Sequence, residues 1–150
     1  MNIEKAIQTQ TIANLKSKAV INILHTAYHV RCKVSDTLKA YGLTPEQFNV
    51  LRILKGKHPE QMCVRDIAGR MIERSSNVPR IIDRLEVKKL VKRGTSTIDK
   101  RETVITLTQA GINMLETVNV IVESANTDMC GLEDEELTVL NTLLDKFRKE

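Results

Sequence analysis

Apolar residues recur at three- and four-residue steps along most of this chain, which predicts a mainly helical protein. From about Thr11 to Tyr41 there is no Pro or Gly, and Val20, Leu24, Ala27, Val34 and Leu38 keep helical spacing with a gap at Arg31. That pattern predicts one long helix of about 30 residues, about 45 Å at 1.5 Å per residue. Such a helix is longer than a compact domain of this size needs, so part of its apolar surface is expected to meet another chain. Gly42 ends it. Thr44-Pro45-Glu46-Gln47 then supplies a cap, a Pro at the first helical position and a capping-box Gln. Phe48, Val50, Leu51, Ile53 and Leu54 predict a largely buried second helix, and 55–61 reads as a polar loop. A third helix is expected over about Val64–Met71, and a fourth over about Ser76–Lys88 after a short connection.

Period-two segments are confined to Leu90–Arg93 and Thr103–Leu107, two short strands around a polar loop of hairpin-tip character at 94–102. Thr108 can cap a long helix over Gln109 to about Asp128. Gly131 breaks it, and a last helix over about Asp134–Lys149 presents Leu137, Leu140, Leu144 and Phe147 on one face. The expected fold class is therefore mainly α with a small β wing and long terminal helices. Three regions follow, all in one structural unit: 1–41 and 112–150 with the long terminal helices, and 42–111 with the shorter helices and the hairpin.

Charge sharpens this picture. The net charge of +4 is modest, but residues 64–103 carry 11 Lys/Arg against 6 Asp/Glu, whereas 112–150 carry 3 against 9. A basic middle beside an acidic end suggests one face for a polyanion and one that avoids it. With two Phe, two Tyr and no Trp, stacking platforms for single-stranded nucleic acid are scarce. No apolar run approaches membrane-spanning length, and the N-terminus lacks a secretory pattern, so a cytoplasmic location is expected. Three cysteines without a CxxC suggest neither a disulfide framework nor a structural zinc site.

The fourth helix carries the chemistry. Val78, Ile81, Ile82 and Leu85 form an apolar face, and Asn77, Arg80 and Arg84 fall together on another side. Asn and Arg suit bidentate contacts with base edges, and Arg also grips phosphate. Arg74, Ser75 and Ser76 at the helix start suit phosphate. With Ser76 as cap, Pro79 would be the third helical residue, where its missing N–H costs nothing. Lys100 and Arg101 form the expected hairpin tip; an Arg there can enter a narrow minor groove, and Asp99 can hold its guanidinium.

The order Ser75-Ser76-Asn77-Val78-Pro79-Arg80-Ile81-Ile82-Asp83-Arg84-Leu85-Glu86, Leu90-Val91-Lys92-Arg93, Asp99-Lys100-Arg101-Glu102 and Leu107-Thr108-Gln109-Ala110-Gly111 resembles the MarR family of bacterial regulators over about Gly42–Gly111. The Asp-x-Arg wing followed by Leu-Thr-x-x-Gly is the most specific part. The resemblance implies a winged helix-turn-helix DNA-binding domain over 42–111 and a homodimer in which the terminal helices of 1–41 and 112–150 intertwine as dimerisation regions. It also implies two winged units on a palindromic double-stranded operator, and repression relieved by a small-molecule effector or an oxidant. It places Ser76, Asn77 and Arg80 in the major groove, Arg84 in an Asp-Arg-Leu signature, and Arg101 in the wing with Asp99 as its orienting partner. Two departures stand out. Pro79 replaces a frequent Thr or Ser, and Lys89 stands where the family usually has Gly, which asks for another helix ending or a left-handed Lys at a cost of order 1 kcal/mol.

Other signals define the rivals. His25, His29 and Cys32 lie at i, i+4 and i+7, a spacing that could chelate a borderline metal, and Arg31 and Lys33 flank Cys32 as they would a reactive thiol. These describe a metal- or thiol-responsive sensor on the same fold. A winged-helix protein-interaction module without DNA binding is the remaining alternative. No cofactor is expected, and no nucleophile–base–acid set points to an enzyme.

Overall fold

A computed structural model describes residues 1–74 and 76–148. In chain order its elements are α1 (Ile3–Ala6), α2 (Leu15–Lys39), α3 (Pro45–Lys57), β1 (Met62–Cys63), α4 (Val64–Arg70), α5 (Val78–Val87), β2 (Val91–Thr95), β3 (Thr103–Leu107), α6 (Gln109–Met129) and α7 (Asp134–Phe147). The three strands form an antiparallel sheet in the order β1-β3-β2, with Arg93 opposite Ile105 and Met62 on the other side of Ile105. β1 is an addition to the expected pair: two residues after the polar loop, too short for period two to register, yet both buried.

The first long helix begins later than periodicity predicts, because Asn14 caps it by accepting from Lys16 N and Ser17 N at 2.8 and 3.2 Å. Ahead of it sits α1, capped by Asn2 and tied to α2 by a Lys18–Glu4 ion pair of 2.6 Å. At the other end Leu43 N donates to Leu38 O and Gly42 N to Lys39 O, with Gly42 at φ +66°, a Schellman termination. The capping box at α3 forms as expected: Gln47 N donates to Thr44 Oγ1 at 3.1 Å and Thr44 N to Gln47 Oε1 at 3.3 Å.

One core fills the space between α3, α4, α5, the sheet and the first half of α6, with Leu51, Leu54, Ile67, Ile82, Leu85 and Ile105 almost fully buried. The long helices leave it: α2 buries only Leu38, and α7 buries no residue. No helix among the described residues is long and apolar enough to cross a membrane.

The wing is rooted on the first turn of α6, which explains the Leu-Thr-x-x-Gly signature. Thr108 Oγ1 accepts from Gly111 N at 3.0 Å and donates to Lys89 O at 2.7 Å, while Thr108 N donates to Leu90 O at 3.1 Å. A Cβ at Gly111 would lie 2.1 Å from Leu90 O, so only glycine permits this backbone approach.

Candidate nucleic-acid interface

Helix α5 turns Val78, Ile82 and Leu85 into the core and leaves Asn77, Arg80, Asp83 and Arg84 exposed. Its cap is Asn77, not Ser76: Asn77 Oδ1 accepts from Arg80 N at 3.2 Å. The helix therefore starts one residue later than expected, with Pro79 at its second position, which still needs no N–H partner. The capping also occupies the Asn77 carbonyl, leaving the amide NH2 as its free donor, so two-point reading of adenine by Asn77 requires the cap to be shared. A second correction concerns Ser76. Its Oγ is buried and, among the described residues, has no hydrogen-bond partner, so the hydroxyl does not face a phosphate in this conformation. Arg74 is exposed at the helix entrance. Ser75, the other expected phosphate contact, lies outside the described residues.

The helix ends as the departure at Lys89 requires. Leu90 N donates to Leu85 O at 3.0 Å and Lys89 N to Glu86 O at 2.8 Å, with Lys89 left-handed at φ 60°. Lys88 folds back onto the start of α3: its Nζ donates to Gly42 O and, at 2.9 Å, to Gln47 Oε1. Burial, with Arg84 nearby, lowers its pKa. Gln47 is thereby a buried polar hub that the sequence presents only as a capping residue.

The acidic side chains of α5 are answered by the wing. Arg93 on β2 pairs with Asp83 at 2.5 Å and Glu86 at 3.7 Å, takes Glu86 again through its backbone N–H, and reaches Pro79 O at 3.5 Å. Neither Arg80 nor Arg84 makes an ion pair among the described residues. The result is a fixed hairpin beside a helix whose remaining charge is positive. Together with Asn77, Arg80 and Arg84 line a polar groove of about 420 Å³.

At the wing tip Ser96 Oγ accepts from Ile98 N and Asp99 N, and Ser96 N donates to Glu102 O. Asp99 Oδ1 accepts from the backbone N–H of Arg101 at 2.9 Å, so it braces the turn and does not hold the Arg101 guanidinium as expected. Asp99, Lys100 and Arg101 are all exposed. Ile98, which sequence reasoning passed over, stands 97% exposed at the same tip.

The α2 residues His25 and His29 are exposed and Cys32 is half-buried. Among the described residues no three His, Cys, Asp or Glu side chains gather around a point where a metal could sit. The neighbouring Cys32 thiol pushes the Tyr28 phenol up. Arg31, expected beside the thiol, is committed instead to Glu46 at 2.5 Å and to Glu73. Cys63 is buried, and burial pushes its thiol up; Cys130 is exposed.

Between α2, the start of α3 and residues 71–73 and 76 lies a cavity of about 500 Å³, walled mainly by Ala27, Val30, Val34, Pro45, Met71 and Ile72. Its size and apolar lining with a few polar groups are those of a small-molecule site.

The sequence model of the MarR family matches residues 43–103, from the α2–α3 turn to the start of β3. The HTH-type transcriptional regulator MhqR of Bacillus subtilis is 30% identical over 106 residues, covering 69% of this chain and 70% of the relative. Among solved structures, the S. aureus MepR–DNA complex has a TM-score of 0.75 at 25% identity, over 83% of this chain and 91% of that one. BpsR of Bordetella bronchiseptica, whose DNA binding is regulated by 6-hydroxynicotinic acid, has a TM-score of 0.75 at 25% identity, over 86% and 92%. Helix α5, the ribbon rooted at Thr108 and Gly111, and the matching relatives agree: the chain belongs to the MarR family of winged-helix transcriptional regulators.

Proposed function

We propose that this regulator works in the cytoplasm, without a catalytic step, as a homodimer that binds a palindromic double-stranded operator and represses from it. In this reading 42–111 is the binding unit, and 1–41 and 112–150 are the dimerisation arms. Arg80 and Arg84, with the Asn77 amide, face base edges and phosphates in the major groove. Arg101 enters the adjacent minor groove, and Arg74 and Lys100 contact phosphates. The supporting observation is the charge division around α5. Arg93 is paired with Asp83 and Glu86, and among the described residues Arg80 and Arg84 make no ion pair, so their charge is open to a polyanion.

The second copy is expected on α7 and α2, where Val139, Leu140, Leu143, Leu15 and Leu24 are exposed. A small-molecule effector in the 500 Å³ cavity would act on the spacing of the two recognition helices.

Selection of bound duplexes from a random pool tests this directly. The expected result is a two-fold symmetric consensus with half-sites about 34 Å apart, bound less tightly as salt rises. Arg101→Ala should weaken binding to that duplex by about 10- to 100-fold with the dimer intact. An asymmetric consensus, or unchanged affinity in Arg101→Ala, overturns the assignment.

A further inference from the structure

The apolar cavity and the polar groove beside α5 share a wall made of Glu46, Glu73 and Ser76. Two of these three hold Arg31: its Nη2 lies 2.5 Å from Glu46 Oε1, and its Nη1 pairs with Glu73. One guanidinium thus joins α2 to the first turn of α3 and to the segment that leads into α5. Each side chain of the bridge stays part-exposed and within reach of a molecule in the cavity. The third wall residue, Ser76, buries a hydroxyl that has no partner among the described residues.

The charges on this wall are one guanidinium and two carboxylates, a net of −1 beside an apolar surface. An acid entering there would meet two carboxylates and a cation already satisfied by both. A cation meets the opposite situation, strengthened where water is excluded. A planar N–H fork is the best competitor for a guanidinium at carboxylate oxygens, since it offers the same paired geometry.

We propose that the cavity takes a hydrophobic molecule with an amidinium-like cationic head, and that this head captures Glu46 and Glu73 from Arg31. Loss of the Arg31–Glu73 pair removes one of the ties on the approach to α5. What then holds that approach is Ile72 N donating to Asn49 Oδ1 and the Asn77 cap. The entrance of the recognition helix shifts, and operator affinity falls. The output half of this inference rests on the DNA-binding reading above; the ligand half does not.

Three isosteric probes separate the possibilities: naphthalene-2-carboxamidine, the neutral carboxamide and the carboxylate. Calorimetric titration into the full chain without DNA should rank the amidine first, about tenfold or more above the carboxylate. Glu46→Gln and Glu73→Gln should each narrow that gap, and Arg31→Gln, which removes the internal competitor, should tighten amidine binding. Equal or tighter binding of the carboxylate overturns the ligand class. So does failure of all three probes to bind, or a gap that survives in the Glu46→Gln, Glu73→Gln double variant.

With the selected duplex, the amidine should weaken binding by the wild-type chain. Arg31→Gln should weaken it without ligand, with Arg31→Lys between. Amidine that binds the protein yet leaves duplex affinity unchanged overturns the coupling. If no duplex is bound at all, the DNA-binding reading fails, and the charge ranking still decides the ligand class on its own.

Discussion

Helices α5 and α7 are written in the same amphipathic pattern and meet opposite fates. Val78, Ile82 and Leu85 of α5 are buried by α3, α4 and β2 of the same chain. On α7, Val139, Leu140, Leu143 and Phe147 are 40–59% exposed, and no residue is buried. Their polar faces diverge as well. α5 has its acids matched by Arg93 and its cations open, whereas α7 begins with Asp134, Glu135 and Glu136. Spacing reports that a face needs cover; it does not report whether the cover lies inside or outside the chain. The charge on the opposite face supplies the missing information, because a helix destined for DNA must leave cations open and have its carboxylates paired elsewhere.

The comparison breaks most sharply at α7. Leu140→Asp combined with Leu143→Asp touches no core residue, so far-UV circular dichroism should be retained. Sedimentation should show a monomer, and duplex affinity should fall by a factor on the order of 10² or more as two-site binding is lost. A dimer of unchanged affinity would show that α7 needs no partner. On the α5 side the cover is internal, so its weak point is a packing contact. Gly111→Ala forces a Cβ against the Leu90 carbonyl and should cost about 3 kcal/mol in denaturant unfolding. An effect below about 1 kcal/mol would mean that the wing's root yields easily.

Arg93→Met tests the clamp between wing and helix. Two part-exposed ion pairs are lost, so stability should fall by about 1 kcal/mol or less, and duplex affinity severalfold as Asp83 and Glu86 are freed. Arg93→Met should add little to the effect of an Asp83→Asn, Glu86→Gln background; full additivity would show that the residues act separately. The smallest change expected is a gain. Lys89→Gly removes a left-handed lysine while keeping the termination hydrogen bonds, and should raise stability by about 0.5–1 kcal/mol, visible as a higher melting temperature.

The fold was legible in the sequence wherever local chemistry decides it. Thr44-Pro45-Glu46-Gln47 makes its capping box, Gly42 its left-handed turn, and Thr108 its cap, because each needs only neighbours within a few residues. What escaped depends on distant partners or on one hydrogen bond. β1 exists because β3 has a free edge beside Met62 and Cys63. Asn77 and Ser76 are both competent caps, and the Arg80 N–H chose the asparagine. Asp99 was free to serve the Arg101 side chain or its backbone, and the tight tip gives it the backbone. The roles of Arg31 and Arg93 lie in carboxylates up to 42 residues away, which no periodicity announces.

The staple of Thr108 and Gly111 against Lys89 and Leu90 has a mechanical consequence. It fastens both feet of the hairpin to the root of α6, so the ribbon and that 21-residue rod swing together. A tilt of about 5° over its roughly 30 Å carries one end through about 3 Å, close to the 3.4 Å step between stacked base pairs. An adjustment too slight to disturb the packing at one end of this lever is enough to put the arginine at the other out of phase with the groove it must enter.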